Sequence, residues 1–125
     1  MKIEVSNGEI VDKITILRIK ESKIQDETKL ANVKKELDEL LPSLQLMGLK
    51  EESESFTNLL EVNQKLWQIE DDIRDKERAK EFDEEFIEIA RAVYRVNDQR
   101  CVLKKQINID TSSTLVEEKS YAEME

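Results

Sequence analysis

Apolar residues in this chain recur mostly at alternating spacings of three and four, the period of helices that bury one face. The first such run places Ile10, Ile14, Leu17 and Ile24 on one face, with Glu21 interrupting it. Ile16 and Ile19 lie on the other side, so this helix is either central or shared with another chain. A second stripe follows: Leu30, Val33, Leu37, Leu40 and Leu44. In an unbroken helix it would fall about 180° from the first at 3.6 residues per turn. The pattern therefore predicts a break near 25–28 with Asp26 as the new N-cap; one long helix touching different partners at its two ends is the alternative.

Pro42 disfavours helix at Leu41 and predicts an end or kink there. The stretch after it carries Leu44, Leu46, Met47 and Leu49, too many apolar side chains for a solvated loop. It either folds over the end of a bundle or forms a docking patch for a partner. Ser53 or Ser55 then caps a helix with Leu59, Val62, Leu66, Ile69 and Ile73 in phase. A charged turn over 80–83 leads to Phe82, Phe86, Ile89, Val93, Val96, Leu103 and Ile107, with Arg100 in one core slot. Both stripes read as coiled-coil-like seams, and so short a turn makes the two helices antiparallel, each about 35–40 Å long.

At the N-terminus, Met1 to Val5 alternates like a short strand, and it needs a partner such as 113–116 or a second subunit. Ser6-Asn7-Gly8 then runs into Glu9. A glycine-containing turn at a helix start is a possible anion site. However, Ser6 and Glu9 have the spacing of a capping box, with Val5 and Ile10 placed as a hydrophobic staple, and a cap uses the donors an anion would want. At the other end, Thr114 and Glu117 have the same spacing and suggest a short terminal helix. The expected organisation is one all-α domain over 1–125: strand 1–5, a first helical pair with an apolar loop over 7–50, a long hairpin over 53–110, and a tail over 111–125.

Two glycines and one proline among 125 residues agree with long helices. Apolar residues make up 38%, lean for a single globule, so a homodimer is expected to complete the burial. The net charge of −9 argues against nucleic acid and anionic membrane surfaces as partners. No apolar run approaches a membrane span, and the first residues lack the apolar core of a signal peptide. One cysteine, Cys101, fits a cytoplasmic setting. There is no histidine, which removes the usual zinc sites and His-dependent triads; no metal or cofactor is expected. E-x-x-E pairs such as Glu36 and Glu39, Glu81 and Glu84, or Glu85 and Glu88 lack the companion motif of a metal-dependent pyrophosphohydrolase, and in so charged a chain they arise by chance.

Pairing the last two helices sets Leu66 against Val93 and Ile73 against Phe86. Asn63, Asn97 and Arg100 then fall on or beside the apolar seam. A buried guanidinium needs a carboxylate, and Glu21 and Glu9 are the candidates. The three polar residues form either a register-setting layer or a site where Arg100 takes a carboxylate or phosphate. The interface candidates are Ile16, Ile19, Leu44, Leu46, Met47, Leu49 and Trp67, the last as core-edge packing or an anchor. Glu70 with Arg74 reads as a surface salt bridge, and Arg91, Arg95 and Asp98 as a solvated face.

Five phrases occur in order: VSNGEIVDKITIL, KLANVKKEL, VNQKLWQIEDDIRDKERA, IARAVYRVNDQR and VEEKSY. Together they resemble an uncharacterised bacterial and phage helical domain family found near polysaccharide and lipopolysaccharide biosynthesis genes. The resemblance covers 1–121 and implies a context without a mechanism. This chain departs from it where members often carry glycine: after the third helix, here Lys80-Glu81-Phe82-Asp83, and near the C-terminus, here Ile109-Asp110-Thr111. The expected function is a non-catalytic protein interaction or scaffolding module, accessory to surface-polysaccharide synthesis, with a protein partner in that pathway. The alternative is a small all-helical enzyme, in the style of chorismate mutases, acting on a small anion through Arg and Glu.

Overall fold

The computed structural model describes residues 1–118. It is all-α, with four helices: α1 (Asn7–Lys23), α2 (Glu27–Met47), α3 (Glu54–Ala79) and α4 (Glu84–Asp110). Three starts follow the sequence signals, with Ser6, Asp26 and Ser53 as N-caps; Asp83 caps the fourth. The break between α1 and α2 falls where the change of face demands it, so 7–47 is two helices and not one.

α1 is the centre of the packing. It touches each of the other three helices, whereas α2 rests on α1 alone. This explains its apolar residues on more than one side. Val11, Ile14, Leu17 and Ile19 are all buried, and the core continues through Val33, Leu37 and Leu44 of α2, Phe56 and Leu59 of α3, and Ile107 of α4. Two interface candidates are corrected by this arrangement. Ile19 and Leu44 are 3% and 5% exposed within one chain: Ile19 is buried on the central helix, and Leu44 joins the core from the last turns of α2. Ile16, Met47, Leu49 and Trp67 are half-buried, and only Leu46 stands out in solvent.

Three further expectations change. Residues 1–6 form no strand, and Ile3 is largely exposed: a single extended segment without a neighbour has nowhere to place its N–H and C=O groups except water. α2 does not end at Pro42 but runs on to Met47, where Gly48 in the left-handed conformation closes it. Pro42 lies on the exposed side and lacks one N–H, a cost of about 3 kcal/mol in a helix interior. The extra turn offsets it by burying Leu44 and packing Met47 against the core. The tail shows no helix over 111–118; the rest of the terminal helix expected there lies outside the described residues.

α3 and α4 pack on each other through a tight turn. Lys76 holds it by pairing with Glu81, Asp83 and Glu85 at 3.1, 3.1 and 3.2 Å. These carboxylates, Glu81 first, push the Lys76 pKa up. Burial in the pair is uneven. On α3 the buried residues are Phe56, Leu59, Val62 and Asn63; on α4 they are Ile107 and Asn108. Leu66, Ile69, Ile73, Phe86, Ile89, Val93 and Val96 are only half-covered, since α1 crosses the base and two helices alone cannot enclose a seam. The close coiled-coil packing expected along the whole pair is therefore not supported.

Candidate functional site

The motif Ser6-Asn7-Gly8 meets the end of α4 here. A helix start leaves its first N–H groups without partners inside the helix. In α1 the chain's own oxygens take them. Asn7 N–H donates to Ser113 Oγ at 2.9 Å, Gly8 N–H to Asn108 Oδ1 at 2.6 Å, and Glu9 N–H to Ser6 Oγ at 3.2 Å. Asn7 Nδ2 adds a bond to Thr111 Oγ1 at 2.8 Å, and Ser6 Oγ donates to Glu117 at 3.1 Å. With these donors taken, the anion reading of the motif loses its basis.

Half of the predicted capping box forms. Ser6 caps, but the Glu9 carboxylate turns to Lys104 Nζ at 2.7 Å. Lys104 lowers the Glu9 pKa, more than the opposing effect of burial. Burial is the strongest single influence on Lys104 and works against its charge, but the bond to Glu9 and the charges of Asp12, Glu9 and Glu117 together outweigh it, leaving the pKa raised. The glycine has a separate role. A Cβ on Gly8 would press on the Lys104 carbonyl oxygen, with Asn108 Oδ1 at 3.0 Å. Gly8 therefore lets α1 approach the backbone of α4 closely, which no local sequence pattern reveals.

One turn further along α1 lies the polar layer. Asp12 is 1% exposed and sits at its centre. Arg100 donates to it through Nε at 2.8 Å and also through an Nη, a two-pronged pairing. Asn63 Nδ2 donates to Asp12 at 2.9 Å and to Thr15 Oγ1 at 2.8 Å. Arg100 also reaches Asn97 Oδ1 at 3.5 Å. Asp12, more than any other group, raises the Arg100 pKa. Asn63, Asn97 and Arg100 thus gather as their positions on the seam required. The carboxylate comes from α1 as expected, but it is Asp12 and neither Glu9 nor Glu21.

Glu9 sits one turn away on Lys104. Glu21 pairs with Arg18 at 3.2 Å, and Arg18 also grips Glu51 at 2.7 and 3.0 Å, pinning the far end of α1 to the loop before α3. Among the described residues no buried side-chain oxygen or nitrogen lacks a partner, and no three Asp, Glu or Cys residues gather as a metal site.

The model of a family described as a family of unknown function (DUF6165) matches residues 1–124. No curated protein and no solved structure matches the chain.

Proposed function

We propose, for a chain that belongs to the family of unknown function DUF6165, the role of a non-catalytic protein interaction or scaffolding module. One observation carries this reading. The cation a ligand would need, Arg100, is already held through Nε and one Nη by a buried carboxylate of its own chain. An anionic substrate arriving there would face Asp12 as well as Arg100, and would have to part Arg100 from a buried carboxylate. The polar layer serves instead to fix how α1 crosses α3 and α4. A place beside surface-polysaccharide synthesis, with a protein partner from that pathway, rests on the resemblance of the five sequence phrases, and a cytoplasmic setting on the single cysteine, Cys101.

Thermal unfolding of the full chain with phosphate, small carboxylates and nucleoside diphosphate sugars is the test. The expected result is no stabilisation through Arg100. Stabilisation that rises with ligand concentration and disappears in Arg100→Met would overturn the reading in favour of an anion-binding enzyme.

A further inference from the structure

The inner side of α4 carries its seam. Its opposite side carries a second pattern that the core leaves unexplained. At about 100° per residue, Glu84, Ile87, Arg91, Tyr94, Asp98, Val102, Lys105 and Ile109 fall within an arc of about 80°. Ile87 is 51% exposed, Val102 62% and Ile109 64%. The matching outer face of α3, with Glu61, Gln64, Gln68, Asp71 and Asp75, is polar. Helix propensity does not ask for exposed Ile and Val, since β-branched residues are mediocre helix formers.

The stripe is also self-complementary when read in both directions. About a midpoint between Tyr94 and Arg95, Ile87 mirrors Val102, Arg91 mirrors Asp98 and Glu84 mirrors Lys105. In these three pairs an apolar residue maps onto an apolar one and each charge onto its opposite; Tyr94 lies next to the midpoint, and Ile109 falls beyond the mirrored stretch. A two-fold axis through that midpoint would set two copies of α4 antiparallel in this register.

We infer that the outer face of α4 docks a second copy of this chain, α4 against α4 and antiparallel, with the axis at Tyr94. This rests on the interaction-module reading above and names its partner. In the assembly Ile87 covers the partner subunit's Val102, and the two Tyr94 rings meet at the axis. Ile109 reaches the turn that carries Phe82, itself 57% exposed. The surface pairs now made by Arg91 with Glu88 and by Lys105 with Glu118 are exposed and weakly held, so they can rearrange. The charge pattern favours this occupant over an unrelated helix, because an unrelated helix has no reason to match a mirrored order. The contact is small. About 38 Å of helix, roughly 10 Å wide, projects on the order of 400 Å² per copy, short of the roughly 800 Å² per partner of a standard interface. An interface of this size belongs with weak, transient associations.

Sedimentation equilibrium of the full chain, from low micromolar to submillimolar, tests it. Wild type should show a monomer–dimer equilibrium. Ile87→Glu and Val102→Lys should each weaken it by roughly tenfold or more, since each places a charge against an apolar residue twice. The double variant should recover dimerisation, because each new Glu then faces a new Lys of the partner. Both positions are exposed, so circular dichroism should show folding unchanged. In a Cys101→Ser background, Tyr94→Cys should form a disulfide between copies under mild oxidation. A wild-type monomer throughout the range overturns the second copy as occupant, while the anion test above decides the interaction-module reading independently. A dimer indifferent to Ile87→Glu overturns the face, and a double variant that stays monomeric overturns the register.

Discussion

The base of the molecule and the outer half of the α3–α4 pair are written in the same three-four apolar spacing. They end in different states. At the base, α1 lies across both helices, Phe56, Leu59 and Ile107 are buried, and a polar layer is threaded between three helices. Beyond Asn63 on α3 and before Ile107 on α4, the same spacing leaves every seam residue half-covered. Apolar period tells which side of a helix faces its neighbour. It does not tell how many layers lie on top, and burial is set by the layers. Opening free energies should follow this division, with amides of the outer half exchanging faster than those of α1.

The comparison is broken most directly at Asp12. Asp12→Ala leaves the Arg100 guanidinium half-buried without its carboxylate and should cost about 3–5 kcal/mol in urea unfolding. Ile89→Ala, in the outer half, should cost about 1–2 kcal/mol, because a half-covered side chain has less to lose. Equal losses at the two sites would erase the division. Asp12→Asn combined with Arg100→Met should recover much of the loss, as removing both charges leaves nothing unpaired.

Gly8→Ala comes next, at about 1–3 kcal/mol, because the new methyl meets a backbone carbonyl that cannot swing away. Ser6→Ala should cost about 1 kcal/mol, the usual loss at an N-cap. At the outer end the sign reverses. Lys80 closes α3 in the left-handed region with φ 55°, where glycine is at ease. Lys80→Gly should raise stability by up to about 1 kcal/mol, and a loss there would mean that the Lys80 side chain holds the turn.

The smallest effect concerns pH. The Glu9 carboxyl titrates below its ordinary value in the folded chain, because Lys104 favours its charge. Its contribution is present above the unfolded-state value, near 4.5, and is lost as pH falls through the lower folded-state value. Glu9→Gln should therefore be less stable than wild type at neutral pH and should converge with it in acid. Denaturation curves that stay parallel from neutral to acid pH would remove Glu9 as a contributor.

Helix number, most helix starts and three members of the polar layer can be read in the residues, because each depends on local spacing or capping chemistry. Asn63, Asn97 and Arg100 betray themselves by standing where an apolar residue belongs. Asp12 does not, since α1 is apolar on several sides and offers no single stripe to interrupt. Pro42 misled because its local penalty was set against a burial gain at Leu44 that only the packing reveals. The roles of Gly8 and of Asn108, Thr111 and Ser113 depend on two chain segments meeting in space, and no local pattern encodes that. The turn Lys80-Glu81-Phe82-Asp83 lacks the glycine that the resembling family often has there, and the positive φ of Lys80 gives that departure a physical meaning.

The bonds between Asn7, Gly8 and the end of α4 join residues separated by 106, 104 and 100 positions. Ribosomal synthesis makes the donors first and the acceptors last. For most of that time the first turn of α1 must find its partners in water, and α1 has no α3 or α4 to lie across. The central element of the fold is thus the first made and the last secured. Closing so wide a loop is entropically costly and non-local, which places the clasp late on the folding route. Substitutions at Gly8 or Asn108 should accordingly speed unfolding while leaving the folding rate nearly unchanged.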